Sequence, residues 1–115
     1  METILHHLEV WGCDVPGALE RLAGDTNLYV SCLRMFTADK GFSQLRAALE
    51  CQDMRAAFEA AHMLKGVAAN LGLAPLLHPV SALVEELRAN RTERLASLFG
   101  QVEDARRKLG SIVAA

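Results

Sequence analysis

The chain has 115 residues, with 12 Lys+Arg against 14 Asp+Glu, a formal net charge of −2 at pH 7 and 51% hydrophobic residues. That length suits one domain with its own core, because domains cluster at roughly 100–150 residues and bury about two thirds of their unfolded surface. The slightly acidic balance argues against a nucleic-acid protein, which needs a basic patch to neutralise phosphates, and no run approaches the ~20 apolar residues of a membrane span. We therefore expect residues 1–115 to form a single helical domain without nucleic-acid or membrane partners. The opening METILHHLEVWG lacks the basic head and small-residue cleavage site of a signal peptide. Three cysteines, Cys13, Cys32 and Cys51, form no CxxC and leave an odd thiol, which fits reduced thiols in a cytoplasm. Cys32 and Cys51 stand in apolar stretches and read as small core residues.

Beta patterning is sparse, and alanine and leucine give high helix propensity almost throughout. A short helix is expected over residues 2–11. A second follows over 15–23, with Asp14 as N-cap and Pro16 in its first turn. A long third helix covers 26–50, capped by Asp25, with Leu28, Cys32, Met35, Phe36, Phe42, Leu45 and Leu49 as its apolar stripe. Gly41 marks a bend in it. The fourth spans 53–71 behind Asp53. The fifth is sought over 75–89, but Pro79 one turn past Pro75 would remove a hydrogen bond and clash, which favours a start near His78. The sixth covers 92–113, capped by Thr92. Short joints between long amphipathic helices imply antiparallel neighbours. The fold expected is all-α: an up-down-up-down four-helix bundle of helices three to six, with the two short N-terminal helices covering it.

The fourth helix is the most informative. Met54, Ala57, Ala61, Leu64, Ala68 and Leu71 repeat at spacings of 3, 4, 3, 4 and 3, a bundle-core stripe. At this periodicity His62 points about 130° from the middle of the stripe and should be open to water. Phe58 lies one turn before it, Lys65 three residues after, Gly66 four, and Ala69 keeps the next turn small. Neutral imidazole is a competent nucleophile at pH 7. A lysine one turn away can neutralise anionic oxygens arriving there. Mid-helix glycine is unfavourable by roughly 1 kcal/mol relative to alanine, so Gly66 makes sense where a side chain would obstruct a partner, or where a neighbouring helix packs closely. Together these residues suit a phosphorylatable histidine read by a protein.

The run Ala61-His62-Met63-Leu64-Lys65-Gly66-Val67-Ala68-Ala69-Asn70-Leu71-Gly72 resembles the signature of histidine-containing phosphotransfer (HPt) domains, roughly His-x-Leu-Lys-Gly followed by small residues and a glycine. Ala18 to Asp25, Leu28-Tyr29, Phe36, Leu45 to Leu49, Asp53 and Leu83-Val84-Glu85 extend the resemblance over residues 12–90. Val67 stands where Ser or Ala is common. The resemblance implies a helical bundle that relays phosphoryl groups in multistep phosphorelays. His62 would be the phosphoacceptor and Lys65 would support the phosphoryl group. Gly66 would leave room for it and for a docking receiver domain, and Phe58 and Ala69 are the further docking candidates. The partners implied are response-regulator receiver domains, with Mg²⁺ on the receiver and no cofactor on this chain.

No P-loop, Gly-rich kinase loop or HRD-type sequence is present, so we expect a shuttle between receivers with no kinase activity, monomeric and cytoplasmic. Two alternatives stand beside it: a bundle that binds signalling proteins without phosphotransfer, and the dimeric phosphoacceptor domain of a sensor kinase, against which Met63 argues because an acidic residue typically follows that histidine. Adjacent His6 and His7 point about 100° apart on a helix and cannot readily share a metal. His78 reads as a helix-start residue. The runs Glu85-Glu86-Leu87-Arg88 to Arg94 and Arg106-Arg107-Lys108 read as solvated faces.

Overall fold

Aspartate caps divide the chain. In the computed structural model, which describes residues 2–114, α1 runs Glu2–Trp11, α2 Val15–Arg21, α3 Thr26–Thr37, α4 Lys40–Glu50, α5 Met54–Asn70, α6 Ala74–Arg88 and α7 Leu95–Val113. The carboxylates of Asp14, Asp25 and Asp53 accept hydrogen bonds from the backbone N–H groups of Gly17, Leu28 and Ala56, at 3.0, 3.0 and 3.1 Å. Each satisfies a donor that the first helical turn leaves unpaired. The expected starts of α2, α3 and α5 hold for that reason.

The helix expected over 26–50 is two helices, and the break falls at Ala38 and Asp39 rather than at Gly41. Asp39 is a fourth cap: it has extended backbone at φ −64°, ψ 135°, and its carboxylate accepts from the Gly41 N–H at 2.7 Å. Gly41 instead serves packing, because a Cβ there would lie 2.8 Å from Leu64 Cδ2. The buried stripe of α3 is Tyr29, Val30, Leu33 and Phe36. Leu28 and Met35, expected in the core, are 45% and 74% exposed.

Two further starts differ from expectation. The α6 helix begins at Ala74, not near His78, and Pro79 lies inside it, buried with Leu76, Val80, Leu83, Val84 and Leu87. Interior proline costs about 3 kcal/mol. Burying each of those aliphatic side chains contributes about 1.5–3 kcal/mol, so the stripe as a whole outweighs the proline. At α7, Thr92 does not cap with its side chain. The helix starts at Leu95 without a side-chain cap, and Thr92 offers only its carbonyl, to the Leu95 N–H at 3.3 Å.

Packing follows chain order: α4 on α5, α5 on α6, α6 on α7, with α3 and α4 both against α7 to close the ring. Short joints make successive partners antiparallel. The result is the expected up-down-up-down bundle, with a broken first arm formed by α3 and α4. The α1 helix lies on α7, and α2 lies against α1 and α3. One continuous core runs from Ile4 in α1 to Val113 in α7.

Two acids lie inside it, Glu86 and Glu103, and Glu86 belongs to a run expected to be solvated. Arg91 and Arg94 grip Glu86. Glu103 of α7 receives Arg106 at 2.9 Å and Arg46 of α4 at 3.2 Å. Arg106 also donates to the Thr37 carbonyl at 3.3 Å and lies over the Phe42 ring at 5.5 Å. This cluster ties the α3–α4 break to α7. Burial pushes the Glu103 carboxyl upward, but the Arg106 hydrogen bond and the charges of Arg106, Arg46 and Arg107 outweigh it and hold the carboxyl below its ordinary value.

A depressed folded pKa adds stability above the ordinary carboxylate pKa and loses it as pH falls through the folded one. Urea unfolding of wild type should therefore weaken across that acid window. Glu103→Gln should flatten the dependence and cost about 1–3 kcal/mol at neutral pH, because two arginines lose their charged partner.

Candidate functional site

The α5 stripe is as expected: Ala57, Ala61, Leu64 and Ala68 are buried, joined by Ala60, with Leu71 buried just beyond and Met54 half-buried. His62 therefore stands on the outer face, exposed. The closeness of its neighbours follows from helix geometry. Side chains lean toward the helix N-terminus, so each covers the turn before its own Cα. His62 leans over Phe58, and their rings stack at 5.7 Å between centroids and 29° between planes. Lys65 leans back toward His62. It is half-buried and makes no ion pair among the described residues.

A side chain at position 66 would lean over His62 in the same way. Position 66 is glycine, and a Cβ built there meets nothing within 4 Å. No neighbouring helix requires the glycine, which removes close intramolecular packing as its reason. What the glycine does is leave the C-terminal side of the imidazole uncovered.

Phe58 is half-buried, and α6 reaches it. The guanidinium of Arg88 lies over the Phe58 ring at 5.5 Å. Arg88 is 56% exposed and stands 4.0 Å from Glu85. Sequence reasoning missed Arg88 as a neighbour of the site, because only the α5–α6 pairing brings it there. Ala69 is exposed and, with Gly66 and Val67, lines an open groove whose other wall is Cys32, Met35 and Phe36 of α3. On the far side of His62, Met63 is 57% exposed.

The end of the signature is built into the fold. Arg21 of α2 donates to the carbonyls of Asn70 at 2.9 Å and Ala69 at 3.2 Å, placing positive charge at the α5 C-terminus, where the helix dipole favours it. The buried Tyr29 hydroxyl donates to the Leu71 carbonyl at 2.8 Å. Gly72 has φ +70°.

Other candidates stay apart. His6 and His7 are exposed with ring centroids 6.1 Å apart, and His78 is exposed inside α6 rather than at its start. Among the described residues, no three His, Cys, Asp or Glu side chains cluster as metal ligands, and no helix is long and apolar enough to cross a membrane. The cysteine expectation needs correction. Cys51 is exposed and Cys32 half-buried, whereas Cys13 is buried, and burial pushes its thiol up to about 12.

Comparison with known proteins gives one match. No curated protein and no solved structure matches the chain, whereas the family described as "Hpt domain" matches residues 35–111. The part of the resemblance at residues 12–34 lies outside that stretch, and the match runs on into α7. It spans the last turn of α3, all of α4, α5 with His62, α6 and most of α7, about two thirds of the 115 residues. The chain therefore belongs to the Hpt domain family, the histidine-containing phosphotransfer modules of two-component signalling, a family that interacts with response-regulator receiver domains.

Proposed function

We propose that residues 1–115 act as one phosphorelay domain in which His62 takes a phosphoryl group from a receiver-domain aspartate and passes it to a second receiver. The observation that carries this is the exposed His62 ring, stacked on Phe58 and uncovered on the side of Gly66. The Nε2 lone pair of neutral His62 attacks phosphorus as the aspartyl O–P bond breaks. The aspartate leaves as carboxylate, and Nδ1, nearer the helix backbone, keeps its proton during the attack. The transition state is loose, so positioning and charge stabilisation do most of the work. Lys65 supplies positive charge to the phosphoryl oxygens. Mg²⁺ belongs to the receiver. Gly66 and Ala69 leave the surface low enough for the receiver to approach, with Phe58 at its edge. We place the protein in the cytoplasm as a monomer, with the receiver of a hybrid sensor kinase as one candidate donor. It has no kinase activity of its own.

The test uses a purified receiver, a small-molecule phosphodonor and this chain. Label should appear on the chain, labile in acid and stable in alkali, as a phosphoramidate is. Failure of wild type to accept label from any receiver of its organism would reject the relay.

Gly66→Gln separates folding from docking. A Cβ there meets nothing, and glutamine is the better helix former, so urea unfolding should show about 0.5–1 kcal/mol of added stability. The same side chain leans over His62, so transfer should slow. Normal transfer would remove the steric role of Gly66.

A further inference from the structure

The His62 ring does not stand alone. It stacks on Phe58 at 5.7 Å, and Phe58 is in turn held by the Arg88 guanidinium at 5.5 Å from α6. An exposed histidine on a helix otherwise samples several rotamers, only some of which present Nε2 outward. A stack on an anchored ring restricts that choice, because offset π contacts at this separation are attractive and a cation over the ring holds it from the neighbouring helix. The direction is right as well: His62 leans toward the α5 N-terminus, onto Phe58, and away from the gap at Gly66.

We infer that Phe58, clamped by Arg88, is a positioning residue that holds the His62 imidazole with its free edge toward the incoming phosphoryl group. This rests on His62 being the phosphoacceptor and adds a role distinct from docking. A docking residue changes how tightly the receiver binds. A positioning residue changes how often the bound complex is in near-attack geometry, and so changes the maximal rate.

The experiment is single-turnover transfer from a phosphorylated receiver at varied receiver concentration, on wild type, Phe58→Leu, Phe58→Tyr and Arg88→Gln. Proton NMR of the His62 ring is recorded on each. Phe58→Leu should lower the maximal rate about threefold to tenfold, leave the half-saturating concentration unchanged and abolish the ring-current shift of the His62 protons. Phe58→Tyr should restore both rate and shift. Arg88→Gln, a change at an exposed side chain, should act in the same direction more weakly; it keeps the test open if Phe58→Leu does not fold.

A raised half-saturating concentration at unchanged maximal rate would make Phe58 a docking residue only and overturn the inference. So would unchanged kinetics in both Phe58→Leu and Arg88→Gln. Should wild type take no label at all, the relay fails rather than the clamp, and the ring-current shift still reports whether the stack exists.

Discussion

His62→Gln should abolish phosphorylation of this chain by a phosphorylated receiver while leaving the bundle folded. The two halves of that expectation have separate causes. An amide nitrogen has no available lone pair for attack on phosphorus, so no slow residual route replaces the imidazole. The side chain is exposed and its one ring contact is with Phe58, so the stability change should stay below about 1 kcal/mol. Label of equal intensity on wild type and His62→Gln would move the acceptor elsewhere, to His6, His7 or His78, all exposed. Circular dichroism and urea unfolding on the same sample separate lost chemistry from lost fold.

Gly72→Ala should be strongly destabilising, although it lies outside the chemistry. Two penalties coincide there. The backbone has φ +70°, which a Cβ opposes, and that Cβ would lie 2.4 Å from the Asp14 carbonyl oxygen. The oxygen cannot swing aside like a side-chain tip, because this backbone is doubly fixed. The Asp14 N–H donates to the Gly72 carbonyl at 2.8 Å, and the Asp14 carbonyl accepts from the Ala18 N–H at 3.1 Å. We expect a loss of about 2–4 kcal/mol. Gly24 is the control: its φ is +75°, but nothing lies within 4 Å of its Cβ position, so Gly24→Ala should cost only about 1 kcal/mol. Similar urea midpoints for the two variants would show that the contact with Asp14 relaxes freely.

The motif is thus a composite. His62, Lys65 and Gly66 share an outer face that helical periodicity makes visible, because the apolar stripe from Ala57 to Ala68 must point inward. Gly72 belongs to the same written signature for a different reason: it lets the end of α5 pass against the start of α2. Arg88 shows the opposite case. Nothing in Glu85-Glu86-Leu87-Arg88 marks one arginine as a neighbour of Phe58 and one glutamate as interior. Both facts depend on where α6 lies across α5 and on which arginines of the α6–α7 joint can reach back.

Errors in reading the elements have the same root. Asp14, Asp25 and Asp53 announce helix starts because a cap is a local bond between a side chain and an N–H two or three residues on. Asp39 makes the same kind of bond, but Gly41 two residues on is the stronger local breaker signal in the sequence. Pro79 signals a stop locally, and the helix runs through it because the bundle buries the whole apolar face of α6.

Class of fold, helix number to within one, the inward face of α5 and the outward histidine were all present in the order of residues, since each follows from contacts within a turn or two of chain. The closing of the bundle, the burial of Glu86 and Glu103, the purpose of Gly72 and the Arg88–Phe58–His62 stack were settled only by the packed molecule. Those features join residues far apart in sequence, and a pairing energy between distant groups leaves no periodic trace along the chain.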